Sequence, residues 1–168
     1  MLYFIQNGAA AGAAAPVAVT TGTAIKTMLQ VLASTTAPAK IVEWGISFDG
    51  SAAATPIKVE LVETSGAATV TASATADITK FDGAALAGGD PVTNLIPVGT
   101  TSTGYTASGE GTPGTCREWD LQYIAPTNQY VKQYPLGREP VIQVGKFARI
   151  RVTAAAAVNA YCYMIVEV

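Results

Sequence analysis

The chain contains no histidine, so the side chain that most often moves protons near neutral pH is missing. With it go the usual serine and cysteine triads and most transition-metal sites, which depend on imidazole as base or ligand. Carboxylates remain. Glu118 and Asp120 flank Trp119 at the spacing of one strand face, roughly 7 Å apart along the backbone, within reach of the carboxylate pairs of glycoside hydrolysis. The solvent face of any half-buried strand carries similar pairs beside a core tryptophan, and that is the expected use here. Asp49, Asp82 and Asp90 each adjoin a glycine. Their spacing matches neither an EF-hand loop nor a calcium-binding nonapeptide repeat, and turn formation accounts for them. The glycine-rich stretch at 104–114 has no lysine and opens no helix, so it is not a phosphate loop. Cys116 and Cys162 are too few and too far apart for a disulfide scaffold or a zinc site, and read as two buried thiols. The chain is therefore read as non-enzymatic, with no catalytic residue, cofactor or metal ligand assigned.

Binding is the remaining class of function. Trp119, Tyr123, Tyr130 and Tyr134 offer rings that could stack on a sugar, although aromatics in a β domain more often fill core and interface. Ten basic residues against twelve acidic ones give a net charge of −2, and the basic residues form no stripe, which excludes a nucleic-acid partner. Residues 1–25 carry no charged side chain, yet Gln6, Asn7, Pro16 and several glycines and threonines interrupt them. That is too polar for a membrane span, and no basic residue precedes the apolar part as a secretion signal requires. Charged residues make up only 13% of the chain and hydrophobic ones 49%, much of it alanine. A surface so poor in solvating charge suits contact with other protein.

The elements that position these residues are strands, because apolar and polar residues alternate at period two and helical periodicity is nearly absent. Over 41–48, Val42, Trp44, Ile46 and Phe48 share a face, and Asp49-Gly50 ends the strand in a turn. Ile57, Val59 and Leu61 oppose Lys58 and Glu60; Ile25, Leu29 and Val31 oppose Lys26 and Gln30. Trp119, Leu121 and Tyr123 alternate with Glu118, Asp120 and Gln122, and Ile150 and Val152 with Arg149 and Arg151. The run 158–168 is apolar on both faces, which implies cover on two sides, either between two sheets or under a neighbouring subunit. With weaker runs near 69–73, 130–134 and 141–144, the pattern predicts an all-β, antiparallel sandwich or jelly roll of about eight or nine strands.

Two segments fall outside this pattern. Residues 1–24 read as an extended, Ala-rich N-terminal arm ahead of a single domain at 25–168, and residues 83–115 read as a long Gly/Thr-rich loop. Chain ends and long loops are ordered when something holds them, and neighbouring chains are expected to do so. The residues assigned to such contacts are Leu2, Tyr3, Phe4 and Ile5 of the arm, where a strand could join another subunit's sheet, and Tyr105 of the loop. Arg138 and Glu139 are added from the Pro-flanked turn at 134–140. A cyclic homo-oligomer, in particular a trimer, is expected, and deleting residues 1–16 is expected to weaken it while leaving the β fold intact.

Three pieces of the chain resemble phage head decoration, or cement, proteins of the jelly-roll type. These are the strand Val42, Glu43, Trp44, Gly45, Ile46, Ser47, Phe48, Asp49 and Gly50, the turn Tyr134, Pro135, Leu136, Gly137, Arg138, Glu139 and Pro140, and the ending Arg149, Ile150, Arg151, Val152 through Ala160, Tyr161, Cys162 and Tyr163. The resemblance implies a virion protein, made in the host cytoplasm, that binds the major capsid protein on the outside of the assembled shell and stabilises it. A tail or baseplate subunit and a carbohydrate- or receptor-binding module are the alternatives.

Overall fold

Alternation at period two gives each strand one apolar face, and two sheets built from such strands bury those faces by meeting. In the computed structural model, which describes residues 1–10, 12, 15–51, 55–83 and 95–168, two antiparallel sheets do this. The first sheet runs β10 (Gln129–Gln133), β4 (Ala39–Phe48), β13 (Asn159–Glu167), β1 (Leu2–Gln6) and β7 (Ile78–Lys80). In it β2 (Val19–Thr20) lies beside the start of β13, and β11 (Val141–Ile142) beside the start of β4. The second sheet runs β6 (Thr69–Ala72), β8 (Gly104–Gly109), β3 (Lys26–Leu32), β12 (Phe147–Thr153), β5 (Ile57–Thr64) and β9 (Cys116–Ile124). The fold is the expected all-β sandwich. Its strands number thirteen among the described residues, because short pairings and two segments read as irregular also contribute.

Trp44, Ile46, Cys162, Met164, Tyr3 and Ile5 from the first sheet meet Leu29, Val31, Val59, Leu61, Ala148 and Ile150 from the second. The strands over 44–48 and 57–61 thus face as their alternation predicts, but at the start of β4 the phase is reversed. Ile41 is core and Val42 is not, because the register against β13 shifts between Glu43, opposite Ile165, and Ile41, opposite Val166. Residues 2–6, read as the start of an arm, are instead a strand of the first sheet. β1 lies between β13 and β7, with both of its hydrogen-bonding edges taken within this chain and Tyr3 and Ile5 in the core. The Met1 amino group and the Val168 carbonyl join at 2.8 Å. Removing residues 1–16 would therefore remove an interior strand.

The long connection is corrected in the same sense. Residues 84–94 lie outside the described residues, but β8 belongs to the second sheet, and residues 110–115 fold back over that sheet's outer face. There Glu110 pairs with Arg149, and the Ser65 N–H bonds the Thr115 carbonyl at 3.0 Å. This cover explains why Arg149, which alternation turns away from the core, is fully buried; Gln30, turned the same way, is buried where its amide donates to the Ser102 carbonyl at 2.7 Å and accepts from the Ala68 N–H at 2.8 Å.

β9 inverts its predicted phase. Asp120 is buried at 7% exposure while Leu121 and Tyr123 stand 39% and 71% exposed. The register against β5 shifts between Leu61, opposite Asp120, and Val62, opposite Glu118, so Trp119 is the extra residue of a bulge. Trp119 and Ile124, an odd number of positions apart, can then both reach the core.

Candidate interaction surface

The strands of the first sheet turn Tyr3, Ile5, Trp44, Ile46, Cys162 and Met164 inward, so their alternate residues must form the outer face. Leu2, Phe4 and Gln6 of β1, Tyr161, Tyr163 and Ile165 of β13, and Glu43, Gly45 and Ser47 of β4 stand there, with Val131 of β10 at the sheet's edge. Registers set them side by side, with Val131 opposite Gly45, Gly45 opposite Tyr163, and Phe4 opposite Ile165. Gly45 leaves a shelf for the Tyr163 ring, since a Cβ at this position would lie 2.7 Å from Tyr163 Cε1. Phe4 stacks on the same ring at 5.3 Å between centroids.

The hydroxyls of this stripe are tied down at its surface. Tyr163 donates to Glu43 Oε1 at 2.7 Å, and Tyr161 donates to Gln6 Oε1 at 2.7 Å. Burial, then the Glu43 carboxylate, pushes the Tyr163 hydroxyl above its ordinary pKa, and burial does the same for Tyr161. Both rings therefore stay neutral through the physiological range. The Lys40–Glu167 ion pair, at 3.7 Å, lies at one end of the face. What results is a half-exposed surface of three aromatic rings with Leu2, Ile165 and Val131, bearing Glu43 as its one charged side chain apart from that ion pair, that nothing among the described residues covers.

Two polar clusters elsewhere serve the fold. Asp120, turned inward by the bulge, accepts from the Tyr130 hydroxyl at 3.0 Å and from Gln122 Nε2 at 2.9 Å, and pairs with Lys132 at 3.2 Å. These bonds tie the β9 edge of one sheet to the β10 edge of the other. Burial, then Asp120, pushes the Tyr130 and Tyr134 hydroxyls up to about 12. The indole N–H of Trp44 faces the Tyr134 hydroxyl without completing a well-formed hydrogen bond. On the second sheet, Arg149 bonds Thr27 Oγ1 through Nε at 2.9 Å and Nη2 at 2.7 Å, and pairs with Glu110.

The aromatics offered as a sugar platform are thereby dispersed. Trp119, Tyr130 and Tyr134 pack against the core, leaving Tyr123 exposed apart from them. The carboxylate pair is also split, with Glu118 exposed and Asp120 buried. Of the two cysteines only Cys162 is buried; Cys116, at the start of the edge strand β9, is exposed, and both are free thiols.

The residues assigned to interfaces divide in the same way. Leu2 and Phe4 stand on the aromatic face, whereas Tyr3 and Ile5, at 1% and 0% exposure, are core. Tyr105 is half-buried on β8, and Arg138 and Glu139 are exposed on their turn. Tyr161, Tyr163 and Ile165 were not among the assigned residues, although the two-sided apolarity of 158–168 pointed to them. No protein-family model, curated protein or solved structure matches the chain.

Proposed function

We propose that this chain is a structural virion protein that binds the outside of an assembled phage capsid and stabilises it, acting as a homo-oligomeric decoration protein. The observation that carries the reading is the aromatic outer face of the first sheet. A half-exposed face of aromatic and aliphatic side chains on a chain with only 13% charged residues suits burial against protein, since contiguous exposed apolar side chains mark interaction sites. Two of the segments that resemble decoration proteins support the same assignment, because they include most of β4 and the first half of β13, the two strands at the middle of that face. The major capsid protein is the partner this reading names, on the capsid surface, with the chain made in the host cytoplasm. It requires no cofactor, nucleic acid or membrane.

The test is to add the purified protein to shells that lack it. Saturable binding that raises the temperature at which shells rupture is expected, and Tyr163→Asp should abolish it. Protein that ignores shells and is found by imaging on tails would transfer the reading to a tail or baseplate subunit.

A further inference from the structure

The turn at 134–140 presents an apolar side chain in an unusual way. The Arg138 N–H closes the turn on the Pro135 carbonyl at 3.0 Å, and Gly137, at φ 81°, takes the left-handed position such a turn needs. Leu136 at the tip is 93% exposed. The base of the turn is fixed to β4, through Tyr134 N–H to the Val42 carbonyl and Ile41 N–H to the Pro140 carbonyl, both at 2.9 Å. A leucine held out on a rigid, proline-flanked tip loses little freedom on binding, which is what an anchor residue requires.

The same chain carries a receptor of matching chemistry. A groove of about 580 Å³ runs between Ala10, Pro16 and Val17 on one side and the β8 residues Tyr105 and Thr106 on the other, and no charged side chain among the described residues lines it. Thr106 sits at φ 47°, a conformation rare for a β-branched residue and characteristic of binding sites. At the rim the Ala10 N–H bonds Asp77 Oδ1 at 2.7 Å, so one carboxylate borders an otherwise neutral groove. The turn carries Arg138, which forms no ion pair with a described residue, beside the carboxylate of Glu139, so only the guanidinium can answer that rim charge.

Tip and groove cannot meet within one molecule. The turn is tied at Ile41, whereas the groove adjoins Val19, which pairs with Ala160 and through it with Phe48 at the other end of β4. At about 3.3 Å per residue, that separation is roughly 23 Å. We propose that copies of this chain join head to tail, the Leu136 turn of one seated in the Val17–Tyr105 groove of the next, with Arg138 facing Asp77. Such a contact is heterologous and closes into a ring when the rotation between copies permits. It deepens the self-association within the functional reading above and is independent of what the oligomer binds.

Leu136→Asp and Val17→Asp test it by sedimentation velocity over a concentration series, because Leu136 and Val17 are 93% and 83% exposed and neither change disturbs the core. Each variant alone should associate at least about tenfold more weakly than the unmodified chain. An equimolar mixture should form a one-to-one complex, because the Val17→Asp chain still supplies an intact turn and the Leu136→Asp chain an intact groove. An unmodified chain that stays monomeric, a Leu136→Asp chain that associates normally, or a mixture with no complex would each overturn the contact. Shell binding by a chain that remains monomeric would overturn this contact and leave the capsid reading standing, and association without shell binding would do the reverse.

Discussion

Taking a guanidinium out of water is costly unless a carboxylate and further acceptors meet it. Arg149 has none of its side chain exposed and is met by Glu110 and Thr27. Glu110→Gln leaves that buried charge without its counter-ion and should lower stability by about 3 kcal/mol in denaturant titration. Replacing Arg149 by Met in the same chain should restore part of the loss. Alternation alone turned Arg149 toward solvent; it states which residues share a face and is silent on what folds over that face. The tyrosines set a second expectation. Tyr130 is raised from 10.0 to about 12 by burial and its bond to Asp120, and Tyr134 reaches about 12 by burial and the charge of Asp120. The folded chain thus keeps protons that the unfolded chain releases, so their contribution is whole below pH 10 and is lost as pH rises toward 12. Denaturation midpoints should fall across that window, and Tyr130→Phe should flatten the fall; a level profile would contradict the assignment.

Among the elements, most of β4 and β5 are legible because alternation leaves one choice of face, and the C-terminal β13 because a long run apolar on both faces reads as a strand covered on two sides. β1 is not. Its first four residues, Leu2 to Ile5, are apolar without alternation, and the uncharged, alanine-rich stretch that follows them makes the whole segment read as an arm. Only the long-range partners, β13 on one side and β7 on the other, make it an interior strand, and pairing across the length of a chain leaves no local signature. Tyr3→Ala and Ile5→Ala should each cost about 3 kcal/mol. Deletion of residues 1–6 should yield no cooperative unfolding transition, whereas a dispensable arm would leave the transition unchanged. β9 shows the other limit, since a single bulge at Trp119 reverses the faces of every residue beyond it.

At the scale of the whole molecule, the sandwich class follows from pattern and composition, and the candidate surface is where that pattern was richest. A strand apolar on both faces needs two covers. The second sheet covers one face of β13, and its other face, with Tyr161, Tyr163 and Ile165, forms the uncovered stripe beside Phe4. Sequence assigns Leu2, Tyr3, Phe4 and Ile5 together to a strand joining another subunit; in the structure their alternation sends Tyr3 and Ile5 into the core and leaves Leu2 and Phe4 on the outer face. The most direct test of the central claim is light scattering of the purified chain, alone and mixed with capsid shells that lack it. The account predicts an oligomer whose signal transfers to the shells and is lost with Tyr163→Asp. A chain that stays off the shells, or a Tyr163→Asp variant that binds them as well as the unmodified protein, would contradict it.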